Sequence, residues 1–180
     1  KAFNTGGQSA FSVVGSDTTL PLPPTAPTII SVSAVSANQI NLIWQNVANE
    51  TSYTLYRSTV NSTNTATNIA GFATDTTNTS DSGLQPNTTY YYWVKAFNTG
   101  GQSAFSVVGS DTTLPLPPNS PTIISVSAVS SSQIDLIWQN VANETSYTLY
   151  RSTVNSTNTA TNIAGFVTDA TNTSNSGLQP

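Results

Sequence analysis

The first residues of the chain, Lys1 to Pro24 (KAFNTGGQSAFSVVGSDTTLPLPP), recur without a change at Lys95 to Pro118, a shift of 94 residues. Thr25 to Pro86 recurs under the same shift at Asn119 to Pro180, with differences at positions 25, 26, 37, 38, 41, 73, 76 and 81. Any fold for this chain must therefore be a unit of one such period that accepts a near copy of itself beside it. Solenoid repeats of roughly 20–50 residues are too short, whereas a two-sheet sandwich of about 100 residues fits. Self-comparison divides the sequence into three segments. Residues 1–24 are the C-terminal strands of one module plus a Pro-rich linker, 25–118 a complete module plus linker, and 119–180 the N-terminal strands of a following module. The differences are small and mostly polar, as expected of a recently duplicated module that works by number.

The linkers are Leu20 to Pro27 (LPLPPTAP) and Leu114 to Pro121 (LPLPPNSP). Proline fixes φ and removes a donor, so these segments are expected to be semi-rigid polyproline spacers, roughly 25 Å long at about 3.1 Å per residue. Between them the apolar residues alternate with period two. Ile30 and Val32 lie on one face of a first strand, Ile40, Leu42 and Trp44 on a second, and Tyr53 and Leu55 on a third. Later, Tyr90, Tyr92, Val94 and Ala96 alternate with Tyr91, Trp93, Lys95 and Phe97. Turn clusters fall at Val47 to Glu50, Asn61 to Asn64, Asp81 to Asn87 and Asn98 to Gln102. No stretch has a helical period, and the expected class is all-β, a tandem of sandwiches.

The order Pro27, Ile30, Val32, then Ile40, Leu42, Trp44, then Tyr53, Leu55, Arg57, then Leu84, Pro86, Thr88, Tyr90, then Ala96, Asn98, Gly101, Ser103 resembles the fibronectin type III signature. The most specific piece is DSGLQPNTTYYYWVKAFN, Asp81 to Asn98. The resemblance implies an immunoglobulin-like sandwich in which Leu84-x-Pro86-x-Thr88-x-Tyr90 forms a corner with the Tyr90 hydroxyl tied back to backbone, and Trp44 is the central core residue. The integrin-binding RGD tripeptide of some members is missing from the matching turn, Asn98 to Gln102, so that recognition does not carry over.

Charge narrows the partners. Only 7% of residues are charged, against roughly 25% in an average soluble protein, and the net charge is −4 with just Lys1, Arg57, Lys95 and Arg151 basic. Such a chain cannot build the cationic face that a phosphate backbone requires. No apolar run approaches the ~18 residues of a membrane helix, so no membrane insertion is expected within this segment. With no Met and no basic-then-apolar leader, Lys1 is not expected to be the natural start.

Acid and base chemistry has little to draw on, since His and Cys are absent. Asp17 and Asp111 fall on the last strand, Asp75 and Asp81 near the corner before Tyr90, and Glu50 in a loop. No DxDxD-like run suggests calcium. No catalytic residue, cofactor site or metal site is assigned, and the carboxylates are read as turn caps. Two surface features are candidates for binding or modification. Tyr91 and Trp93, alternating with the core set, would form a flat platform for stacking a sugar ring unless a neighbouring segment covers them. Asn49, Asn61, Asn78, Asn87, Asn143, Asn155 and Asn172 each open an Asn-x-Ser/Thr sequon in an expected loop or strand end, giving candidate N-glycosylation sites.

Taken together, the expected role is a non-catalytic structural repeat of an extracellular filament, giant adhesin or surface-layer protein, self-associating with further copies and carrying glycans. The alternative is a carbohydrate-binding or spacer module of a secreted carbohydrate-active enzyme. The two ends together lack the equivalent of Asn87 to Val94, which suggests an arbitrary start in a repetitive filament, or strand complementation between subunits.

Overall fold

The computed structural model describes residues 1–179; Pro180, the last residue of the segment expected at 119–180, lies outside them. Two compact units result. One comprises Lys1–Val35, Gln39–Gly83 and Thr88–Thr112; the other comprises Ser36–Asn38, Leu84–Asn87 and the residues from Thr113 onward.

The N-terminal copy contributes a small hairpin, β1 (Phe3–Asn4) with β2 (Gly7–Gln8). The complete module follows with β3 (Ile29–Ser36), β4 (Gln39–Trp44), β5 (Ser52–Ser58), β6 (Thr67–Ala73), β7 (Asn78–Ser82), β8 (Thr89–Asn98), β9 (Gly101–Gln102) and β10 (Gly109–Thr112). One sheet has the order β3-β4-β7, the other β10-β8-β5-β6 with β9 also on β8. This is the immunoglobulin-like sandwich, in which inward residues of the two sheets make one core.

Alternation dictates which residues meet there. Ile40, Leu42 and Trp44 of β4, Tyr53 and Leu55 of β5, and Tyr90, Tyr92, Val94 and Ala96 of β8 are all 6% exposed or less. Trp44 is the hub. Its ring lies 6.0 Å from Tyr53 at 61° and 5.3 Å from Phe72 at 51°, the tilted geometries that aromatic quadrupoles favour. The Tyr53 hydroxyl leaves the core at its rim, donating to Asn46 Oδ1 and accepting from the Val47 amide at 2.9 Å. The turns are closed by Asn and Asp because they tolerate left-handed backbone: Asn49 (φ 64°), Asp75 (58°) and Asn87 (48°).

The structure corrects the first strand. Ile29 and Val32 are half-buried while Ile30 is 64% exposed, so Ile30 does not share an inward face with Val32. In the third segment the matching strand β11 (Ile123–Ser130) shifts register against β12 (Gln133–Trp138) between Ile123 and Ser125, a bulge that swaps parity. Ile29 and Val32 instead crowd Gly109 of β10, where an added Cβ would come within 2.6 Å of Val32 and 2.9 Å of Ile29. Only glycine fits at that approach. Next to it, Asp111 Oδ2 accepts from the Ala34 amide at 2.7 Å, so a side chain satisfies a donor on β3.

Two expected turns also contain strand. Asp81 and Ser82 belong to β7, and Gly101 and Gln102 form β9, pairing with Asn98 and Phe97. Asp75 lies between β6 and β7, before β7 and not at the corner that precedes Tyr90.

Residues 119–179 repeat the first part of the pattern. β11, β12 and β15 (Asn172–Ser176) form one sheet, and β13 (Ser146–Arg151) pairs with β14 (Thr161–Val167). Trp138 and Tyr147 remain buried, 5.7 Å apart, but Leu149 is only half-buried where its counterpart Leu55 is 1% exposed.

Leu42 lies inside the completed core, so Leu42→Ala should lower unfolding free energy by about 2–5 kcal/mol through lost transfer and residual cavity. Leu136→Ala, at a half-buried site, should cost less. Chemical denaturation of each variant checks both.

Candidate functional site

The outward face of the β10-β8-β5-β6 sheet carries the aromatic candidates. Register places Trp93 opposite Tyr56 and Tyr91 between Ser58 and Ser110. The chain then leaves β9 and folds a short segment back along β8. Ser103 and Ser106 act as surrogate backbone here: their hydroxyls accept from the Ala96 and Val94 amides, each at 3.0 Å, while their own amides donate to the carbonyls of the same two residues. This lays Phe105 against the face, 5.0 Å from Tyr56 edge-on, with Lys95 Nζ 4.2 Å above its ring. Trp93 is consequently 4% exposed and Tyr91 half-buried. The expected pair of rings is not a surface platform: Trp93 is enclosed and has no face to offer a sugar.

The sequon asparagines are differently placed. Asn49, Asn61, Asn78, Asn87, Asn143, Asn155 and Asn172 are all exposed. Asn49 and Asn87, with Asn143 in the second copy, occupy left-handed turn positions, and Asn78 and Asn172 begin β7 and β15. Each side chain is reachable from solvent, the steric condition for carrying a glycan.

The carboxylates are engaged in structure. Glu50 Oε1 accepts from the Asp75 amide at 3.0 Å and from Thr74 Oγ1 at 3.2 Å, and Asp75 Oδ1 accepts from Asn46 Nδ2 at 2.6 Å. Among the described residues, no three His, Cys, Asp or Glu side chains are grouped to hold a metal ion. No helix there is long and apolar enough to cross a membrane.

Asp81 has the most developed surroundings. It projects from β7 with its side chain 11% exposed, and receives Arg57 Nη1 of β5 at 2.8 and 2.9 Å and the Tyr92 hydroxyl of β8 at 2.9 Å. The Arg57 guanidinium also lies 5.3 Å over the Tyr90 ring. One carboxylate thus ties the two sheets together through a charge-assisted network. In the second copy Asn175 replaces it, and a carboxamide has no charge to offer Arg151. On sequence alone Asp81 reads as a turn cap; it lies instead within β7 and bonds across to the other sheet, and its spacing from Arg57 and Tyr92 carries no motif.

Two consequences are measurable. Asp81→Asn should cost about 1–3 kcal/mol, below the full loss for a deeply buried pair because Arg57 is 30% exposed. Burial, then the hydrogen bond to Asp81, raises the Tyr92 pKa well above its ordinary 10.0, and burial raises that of Tyr53. A raised folded-state pKa means that the folded protein holds the proton longer. The associated stability is therefore complete below about pH 10 and declines as pH rises beyond it. Tyr92→Phe should flatten that alkaline decline, read from denaturant midpoints at pH 8 and pH 11.

Comparison with known proteins places this geometry. The profile of the Fibronectin type III domain matches residues 25–111. The fn3 domain of human contactin 1 aligns at 22% identity over 63% of this chain and 98% of its own, with a TM-score of 0.50. An Fn3-like protein from Clostridium thermocellum shares 33% identity over 52% of this chain and 97% of its own, with a TM-score of 0.44. A beta-1,2-glucanase from Parabacteroides distasonis aligns at 24% identity over 54% of this chain and 14% of the enzyme, with a TM-score of 0.47. No curated protein matches the chain.

Proposed function

The chain belongs to the fibronectin type III domain family, whose members are structural or binding modules, and from that premise we propose that it is a non-catalytic repeat of an extracellular filament, giant adhesin or surface-layer protein. Its modules act there as spacers and as self-assembly units. The observation that carries this reading is the near identity of tandem copies. The inward residues Ile40, Leu42, Trp44, Tyr53 and Leu55 recur unchanged as Ile134, Leu136, Trp138, Tyr147 and Leu149, while the differences fall in turns, on exposed positions, at Asn41 on the outer face of β4 and at Asp81. Selection that keeps whole modules interchangeable suits a protein whose length and repetition are its use.

The surface agrees with permanent assembly. Few charges oppose close approach, and edge strand β6, TNIAGFA, has no charged residue to deter pairing with another strand. Exposed sequons supply attachment points for glycans on an extracellular surface.

Electron microscopy of native material tests the proposal. A regular fibre or lattice built from these modules is the expected result. Isolated, flexible strings of beads would reject the self-assembly role and leave a stalk, or a spacer of a secreted carbohydrate-active enzyme.

A further inference from the structure

The Pro-rich segment ahead of the complete module is bound to it. Asn98 Nδ2 donates to the Leu22 carbonyl at 2.8 Å and to the Asn49 carbonyl at 2.9 Å, while Asn98 Oδ1 accepts from the Gly100 amide at 2.8 Å. A single side chain therefore shapes the turn after β8 and grips the linker. Pro21 passes so close to Gly100 that a Cβ there would lie 1.8 Å from the Pro21 carbonyl oxygen, and one on Gly101 would meet Pro23 at 3.4 Å. Pro24 and Pro27 are buried in an otherwise mostly exposed stretch.

The identical turn in the N-terminal copy supplies an internal comparison. Asn4 Oδ1 accepts from the Gly6 amide at the same 2.8 Å, and Gly7 has φ 129° against 136° at Gly101. Yet a Cβ on Gly6 would meet only Asn4 Oδ1 at 3.2 Å, and one on Gly7 nothing within 4 Å. The turn has the same form with or without a linker against it, so the receptor is preformed.

We propose that the Asn98–Gly101 turn is a docking site for a polyproline segment, that its occupant is Leu20–Pro24 of the same chain, and that the contact fixes each linker to the module it leads into. The chemistry is complementary. A polyproline strand has no internal hydrogen bonds, so its carbonyls are free to accept from a side-chain amide. Paired glycines let two backbones approach without an intervening side chain. The inference rests on these contacts and does not depend on assembly into a filament.

The test is ¹⁵N relaxation of the whole 180-residue chain, reading the Leu22 amide against Val94 in the core and Val13 in the exposed N-terminal segment. Leu22 should relax like Val94 in the native chain and like Val13 in Gly100→Ala, while Gly6→Ala leaves it unchanged. A Leu22 amide as flexible as Val13 in the native chain, or indifferent to Gly100→Ala, overturns the proposal. Should Gly100→Ala unfold the module, a second variant with Leu20–Pro24 replaced by Gly and Ser keeps the module intact. The Gly100 and Gly101 amide resonances should then shift while Leu55 and Val94 hold; unmoved glycine resonances would refute docking.

Discussion

Two sheets that each hide one face need a point at which they are pinned, and Trp44 supplies it. Its ring, 1% exposed, reaches from β4 onto Tyr53 and Phe72 of the opposite sheet. Period-two alternation along β4 and β5 follows from that contact, since a one-residue slip would turn Ile40, Leu42 and Leu55 to water. The second copy repeats the cluster, with Trp138 5.7 and 5.3 Å from Tyr147 and Phe166. The aromatic hub organises the sheets, and β8 seals them.

How much of this was legible depended on whether a strand advertises itself in apolar residues. β4, β5 and β8 do, and their inward sets were readable residue by residue. β7, NTSDS, has none: its inward positions are Thr79 and Asp81, paired with Leu42 and Ile40, and a polar pentapeptide reads as a turn. β3 is opaque for the opposite reason, having apolar residues on both parities, so that nothing in IISVSAV marks which of them face inward and that Ile30 does not. Alternation puts Trp93 on the outer face but cannot see that Phe105, folded back by Ser103 and Ser106, packs on that face against Tyr56. The linker's grip on Asn98 joins residues 76 apart and left no local trace.

The surface shows how a nearly uncharged exterior stays specified. On the outer face of β3-β4-β7, Asn41 Oδ1 accepts from Gln39 Nε2 at 3.0 Å and Ser80 Oγ at 2.8 Å, a polar ladder running across β4 and β7. In the next copy Asp135 takes the same place, accepting from Gln133 at 2.9 Å, and its hydrogen bonds from Gln133 and Ser174 hold its pKa below the usual value. Only an acceptor is needed there, so the exchange of Asn for Asp costs little in contacts. The change of Asp81 to Asn175 differs in kind, because Arg57 needs a charge.

That difference bears on how tandem twins avoid exchanging parts while they fold. Neighbouring domains of nearly equal sequence are prone to swap strands, since the wrong segment fills the vacancy as well as the right one. Among the inward residues of the copied strands, none discriminates except at one site. A β15 segment placed where β7 belongs would set Asn175 against the Arg57 guanidinium and the Tyr92 hydroxyl, leaving a half-buried cation without its counter-charge. The single charge on Asp81 therefore favours β7 over β15 for the place beside Arg57.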